Sequence, residues 1–250
     1  MTSGTAEEQI AFERVDVRFG ELTALSEVSF SVRRGEIAVI IGGSGAGKTT
    51  LLRVIIGLLR PTVGSVKIEG EDIARMSERE LQRIRAKFGM VFQYSALLDS
   101  LTVLENVALP LKEHEKLSAN ALRERCVRML ESLELTGVEE RYPNELSGGM
   151  RKRVALARAL IRHPSIVVYD EPASGLDPLT ARLVDDLILS TRDRFGVTSV
   201  VISHDMAQAM RLADHLLVLD KGRLVEDGAP RELRDRAGGL AAKFFAASQA

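Results

Sequence analysis

The sequence predicts an α/β fold: a mostly parallel sheet covered by helices on both faces, with a helix-rich insertion in the middle of the chain. Three observations point there. Short, continuously apolar segments such as Ile37–Ile41 and Ile166–Tyr169 read as strands buried on both faces. Stretches of helical periodicity alternate with them, the pattern of a parallel sheet with crossover helices. From about Tyr94 to Ala159 no comparable strand interrupts the helical signal. The chain has 250 residues, 45% of them hydrophobic and 28% charged, enough to bury a core without disulfides or structural metal.

The elements follow in order. Phe12–Phe19, Val28–Val32 and Glu36–Ile41 read as strands, and the last runs through glycine into a helix over Lys48–Leu58. Ser77 and Glu80 form a capping box that starts a helix ending near Lys87. Phe88–Phe92 is the next strand. Leu104–Leu135 is helical, expected to break near Pro110 and restart near Ser118, whose hydroxyl suits an N-cap. Helix Gly148–Arg162, strand Ile166–Tyr169, helix Pro178–Arg194, strand Ser199–Ser203, helix Asp205–Leu212 and strand Leu216–Leu219 complete the alternation.

Composition excludes several classes. With 34 Lys+Arg against 35 Asp+Glu, the molecule is no nucleic-acid-binding polycation, and no nucleic-acid partner is expected. Its one cysteine, Cys126, fits a reducing compartment. No apolar run approaches a membrane span, and the N-terminus carries Glu7, Glu8 and Glu13 in place of a basic and an apolar signal region. A cytoplasmic protein is expected, reaching a membrane only through a partner.

Gly42-Gly43-Ser44-Gly45-Ala46-Gly47-Lys48-Thr49 stands between an apolar strand and a helix. Glycines let the backbone wrap closely, so that successive N–H groups point at phosphate oxygens, and the helix N-terminus adds its positive dipole end. Lys48 supplies a full charge for β- and γ-phosphates. The Thr49 hydroxyl is placed for Mg²⁺, and Thr50 follows it in the nucleotide-binding set. Strand Ile166–Tyr169 leads into Asp170 and Glu171. Asp170 would meet the metal, while Glu171, one residue further, would orient and polarise the attacking water. Ser147, Gly148 and Gly149 open a basic helix and make a second anion-binding helix end. One nucleotide does not need two such ends from one chain. The simplest geometry is a homodimer in which each chain's second site closes over its partner's γ-phosphate.

With these marks in this order, the chain resembles the ABC ATPase family over about Phe12–Leu233. The resemblance implies a P-loop NTPase fold with an N-terminal antiparallel β subdomain, a single ATPase domain over 1–250, a helical subdomain over about 94–159 and a short tail over about 238–250. It implies ATP and Mg²⁺ as cofactors. It also implies that Gln93 senses the γ-phosphate and metal, that Ser174–Asp177 form the loop containing Asp177, that His204 is the switch histidine, and that Phe19 stacks on adenine.

The 54 residues from Gln93 to Ser147 leave room only for a compact helical subdomain, and no sustained heptad repeat is present. Within the family, the resemblance then implies a transport ATPase without its own membrane domain, because the family's chromosome and repair members carry a long coiled coil there and its translation-type members carry two cassettes. Met150 stands where the family's signature usually continues with glutamine. Together with segment Phe92–Leu111, it resembles the MlaF-like ATPases of Mla/Mce phospholipid transport. This implies an integral-membrane permease, an Mce-type lipid-binding protein and a place on the cytoplasmic face of the inner membrane. The alternatives are the ATPase of a polar-nutrient, amino-acid-type importer, which shares every catalytic mark, and a non-transport regulatory ATP switch.

Overall fold

The computed structural model describes residues 7–93 and 95–248. The sequence-drawn start of the insertion at Tyr94 and the last two tail residues lie outside them. The elements run in order as β1 (Glu8–Phe19), β2 (Leu22–Arg33), β3 (Ile37–Ile41), α1 (Lys48–Ile55), β4 (Val63–Ile68), β5 (Glu71–Asp72), α2 (Glu78–Arg85) and β6 (Phe88–Phe92). Then come α3 (Val103–His114), α4 (Ala119–Ser132), a 3₁₀ turn at Pro143–Glu145, α5 (Gly148–Leu160), β7 (Ile166–Asp170) and α6 (Pro178–Phe195). The chain ends through β8 (Thr198–Ser203), α7 (Met206–Leu212), β9 (His215–Asp220), β10 (Arg223–Gly228), α8 (Pro230–Asp235) and α9 (Leu240–Ser248). It divides into two compact units, one running to Arg85 and resuming at Ile188, the other Ala86–Leu187.

The first unit holds two sheets. One is antiparallel, in the order β2-β1-β4-β5, and forms the N-terminal β subdomain. Its core side carries Phe12 stacked on Phe30 at 4.6 Å between ring centroids, with Ile10, Val15 and Val66 buried beside them. In the other, β3 pairs in parallel with both β8 and β9, and β10 closes the edge antiparallel to β9. Every residue of β3 and of β8 is buried, as continuous apolar strands require.

The second unit pairs β6 with β7 in parallel and carries the helices α3, α4 and α5. Close packing of α5 on β6 fixes Gly89: a Cβ there would stand 2.6 Å from the Ala159 carbonyl oxygen.

Most sequence-predicted elements occur within a few residues of their expected ends. The capping box forms as expected, with Ser77 N–H donating to Glu80 at 2.7 Å. Ser118 caps α4 by accepting from the Ala121 amide at 3.3 Å. The expected break at Pro110 does not occur, and α3 runs through it to His114. A reciprocal capping box between Thr102 and Glu105 nucleates this helix, and Val103, Val107, Ala108 and Leu111 bury its face. Together these outweigh the roughly 3 kcal/mol that an internal proline costs. Strands β4, β5 and β10 and helix α8 have no counterpart in the sequence reading, while α9 lies in the expected short tail. Among the described residues no helix is long and apolar enough to cross a membrane.

Candidate functional site

In the first unit the parallel register sets Ile41 of β3 opposite Ser203 of β8. The residues that follow them, Gly42 and His204, therefore leave the same end of the sheet side by side. Gly42 is pressed against the neighbouring strand: a Cβ there would stand 2.3 Å from the Leu219 carbonyl oxygen. Gly47 adopts φ 103, and a Cβ would meet the Ala24 carbonyl at 3.0 Å. By contrast, Gly43 and Gly45 face open space. The loop is braced from behind, where Gly222 N–H donates to the Ala46 carbonyl at 2.9 Å.

Residues 43–45 and Thr49 are exposed, while Lys48 and Thr50 are half-buried. Lys48 Nζ donates to the loop's own carbonyls, Gly42 at 2.7 Å and Gly43 at 3.0 Å. No carboxylate neutralises it among the described residues. A tight loop with an open mouth, one uncompensated cation and a helix N-terminus fits a nucleoside phosphate chain. Phe19, at the end of β1, is 48% exposed, a flat apolar face left for solvent or a ring. His204 is exposed and held in place from both sides. Ser203 Oγ accepts from the Asp205 amide at 3.0 Å, and Asp205 caps α7 through the amides of Ala207 and Gln208.

The second unit repeats the device. Phe92 of β6 stands opposite Asp170 of β7, so Gln93 and Glu171 leave that strand pair at the same step. Asp170, Glu171 and Gln93 are half-buried. Glu171 adopts φ 47, a left-handed conformation unusual for a non-glycine residue and typical of functional turns. The turn is closed by Ser174 N–H on the Glu171 carbonyl at 3.2 Å. Asp177 is committed to α6, accepting from the amides of Leu179 and Thr180 at 3.0 Å each and from the Thr180 hydroxyl. The Thr180 hydrogen bonds hold its carboxyl below the usual carboxylate range.

Ser147 caps α5, accepting from the Met150 amide at 3.3 Å; Gly148 and Gly149 are exposed, a Cβ at Gly148 would meet the Arg151 guanidinium at 3.9 Å, and one at Gly149 would stand in open space. The basic residues of α5 are tied to the protein's own carbonyls. Arg151 donates to the Leu146 carbonyl and Arg153 to the Leu133 carbonyl and Glu134. Lys152 reaches the Gln93 and Pro172 carbonyls, and Arg158 the Ser95 and Ala96 carbonyls. The helix lies over its own unit, so its long cations find backbone oxygens before solvent.

Sequence reasoning also missed Asn106. Fully buried in α3, it accepts from the Leu98 amide at 2.8 Å and donates to the carbonyls of Leu98, Leu101 and Thr102. It thereby pins the segment after Gln93. Its signal was a polar residue inside the apolar run Val103–Leu111, legible only once the helix is known to face the core. Taken unit by unit, Thr49 in the first and Gln93 and Asp170 in the second carry oxygen donors of the kind Mg²⁺ takes, since it binds few protein oxygens and completes its shell with water and phosphate.

These features define an ATP-binding cassette. The ABC transporter family model matches residues 25–174, and the chain belongs to that family. It is 44% identical over 229 residues to the methionine import ATP-binding protein of Rhizobium johnstonii, covering 90% of this chain and 62% of that protein. It is likewise 44% identical over 208 residues to the protein of the same name from Carboxydothermus hydrogenoformans, covering 83% of this chain and 61% of that one. The chain thus spans about three fifths of these relatives' length.

Among solved structures it is similar to the dimeric cassette MJ0796 in a post-hydrolysis state bound to ADP and Pi. That match has a TM-score of 0.76 and 34% identity, covering 88% of this chain and 98% of that one. It is also similar to cbiO1 of Clostridium perfringens, part of an ABC transporter complex, with TM-score 0.83 and 25% identity, covering 96% and 99%. The expected P-loop ABC ATPase fold is thereby established. The expected kinship with phospholipid-transport ATPases is not supported by these relatives, which are named for methionine import, and neither is an Mce-type partner.

Proposed function

We propose that the chain is the ATP-hydrolysing subunit of an importer for an amino-acid-type polar solute. It would act as a homodimer, peripheral to the cytoplasmic face of the membrane through a separate integral-membrane permease. The observation that carries the reading is the pairing of loop exits, Gly42 with His204 and Gln93 with Glu171, each fixed by a parallel register one residue earlier. The cargo class rests on the methionine-import relatives.

In this reading the amides of Gly42, Gly43, Ser44, Gly45, Ala46 and Gly47 and the Lys48 ammonium hold the β- and γ-phosphates, with Thr49 and Thr50 at their side. Phe19 lies against the adenine. Thr49, Asp170 and Gln93 would hold Mg²⁺, which when bound offsets charge on the phosphates. Glu171 orients the attacking water and accepts its proton, and His204 and Gln93 hold the γ-phosphate end. Ser147, Gly148 and Gly149 of one chain close over the nucleotide of the other, with Asp177 near the seam. The helical segment over about 94–159 serves as the subdomain that faces the permease.

A phospholipid cargo with an Mce-type lipid-binding partner is the second reading, favoured by Met150 and the segment Phe92–Leu111. Deleting the gene and following labelled methionine uptake beside envelope phospholipid distribution separates the two. Lost uptake with normal lipid supports the importer. Normal uptake with displaced lipid selects the second reading, and no change in either removes both.

A further inference from the structure

Lys152 sits in the second turn of α5, half-buried, and burial pushes its ammonium below the usual lysine range. A lysine on a helix surface ordinarily extends its charge into water. This one turns inward and donates to the backbone carbonyl of Gln93 at 3.4 Å and to that of Pro172 at 2.5 Å. No carboxylate pairs with it among the described residues. The two carbonyls belong to the residue that leaves β6 and to the residue directly after Glu171. One ammonium, carried on the helix that Ser147 caps, therefore ties together the two loops that leave β6 and β7.

The segments it ties are the ones that need holding. Glu171 lies at φ 47, and just beyond Gln93 the residues Ser95 and Ala96 lie at φ 63 and 45. Left-handed backbone at non-glycine residues costs of order 1 kcal/mol each and persists only where surrounding contacts impose it. Arg158, further along α5, secures the second of these turns through the Ser95 and Ala96 carbonyls at 2.9 and 2.7 Å. Lys152 reaches both loops.

We propose that Lys152 is a positioning residue for hydrolysis: it couples the signature helix α5 to the backbones that carry Gln93 and Glu171, so that both side chains are aimed by one cation. The proposal rests on the catalytic reading of Glu171 given above. Displacing a reacting group by about 1 Å costs up to about 100-fold in rate while leaving binding contacts intact. The P-loop amides and Lys48, which belong to the other unit, should go on binding ATP.

The test compares Lys152→Met, which keeps the stem and removes the donors, with Arg153→Met and Glu171→Gln in the full chain. ATPase kinetics and thermal stability are measured on each. The expected result is a fall in kcat of about 10- to 100-fold in Lys152→Met with KM for ATP changed less than about threefold. Melting temperature should match that of Arg153→Met, which loses its bonds to the Leu133 carbonyl and Glu134 and keeps kcat. An unchanged kcat in Lys152→Met overturns the proposal. So does a loss of kcat accompanied by an equal loss of ATP affinity and stability, which marks a merely structural lysine. If Glu171→Gln turns over like the parent, the catalytic reading fails and the proposal with it. If Glu171→Gln is inactive and Lys152→Met is normal, the coupling alone fails.

Discussion

The two units use one geometric device in different materials. In each, a register pair of parallel strands releases two functional loops at the same step: Ile41 with Ser203 in one, Phe92 with Asp170 in the other. In the first unit the loop after β3 is shaped by sterics. Gly42 and Gly47 are glycine because a Cβ would strike the Leu219 and Ala24 carbonyls, and the Lys48 side chain bonds to the loop's own carbonyls. In the second unit the loops are held by side chains from elsewhere. Lys152, Arg158 and Asn106 bond their carbonyls and amides, and non-glycine residues take left-handed conformations. A loop that must envelop a ligand leaves its amides to the ligand. A loop that must aim a side chain has its backbone fixed by the protein.

The sharpest way to break this comparison is to remove one charge from each unit. Lys48→Ala takes away the full positive charge of the enveloping loop, and ATP affinity should fall by about 100-fold or more. Glu171→Gln removes the water-orienting carboxylate from the aiming loop. It should leave ATP affinity within about threefold and lower kcat by about 100- to 10,000-fold. Equilibrium binding of a fluorescent ATP analogue and single-turnover hydrolysis measure the two halves. Normal affinity in Lys48→Ala, or near-normal turnover in Glu171→Gln, reverses the assignment of roles.

Stability measurements sharpen it further. Gly42→Ala drives a methyl into the Leu219 carbonyl and should cost about 1–3 kcal/mol. Gly43→Ala, one residue on and facing open space, should stay within about 0.5 kcal/mol. In the second unit Asn106→Ala leaves the Leu98 amide without its acceptor and takes a donor from the Leu98, Leu101 and Thr102 carbonyls, at about 1–3 kcal/mol. Chemical denaturation resolves these differences. Equal costs at Gly42 and Gly43 would remove the steric account of the enveloping loop.

The comparison also explains what the sequence made legible. A phosphate loop shaped by glycine writes its constraint into residue identity, so positions 42–49 can be read without coordinates. Asp170 and Glu171 are legible because a buried strand has a visible end. The pinning residues are not, because Lys152 and Arg158 look like any basic helix face until the partner of that face is known. Asp177 looked available to a ligand, yet its carboxylate caps α6. Strand β10 carries Arg223, Glu226 and Asp227 and lacks an apolar run, since only one neighbour, β9, is needed to pair it. Pro110 misled because propensity is local, whereas the buried face of α3 is a tertiary fact.

The smallest expected effect tests whether the first unit holds any titrating tie comparable to the fixed cations of the second. His215, at the start of β9, is hydrogen-bonded to Asp227, and its Nδ1 lies 4.0 Å from Glu36. The bond to Asp227 raises its pKa above the ordinary 6.5, aided by the charges of Asp227 and Glu36 and opposed by burial and by Arg33. A histidine whose folded pKa is raised contributes stability that is fully present below its unfolded pKa. That contribution is lost as pH rises through the folded value. The stability difference between the parent and His215→Gln should therefore be largest below 6.5 and shrink as pH climbs above it. The pH-dependent part should stay under about 1 kcal/mol, because the Asp227 side chain is partly exposed to solvent and the pair is screened. Melting temperatures of both proteins across about pH 5.5 to 8.5 measure it. A difference that does not vary over that range would leave His215 as packing alone, and the first unit without a charge-dependent tie at this edge.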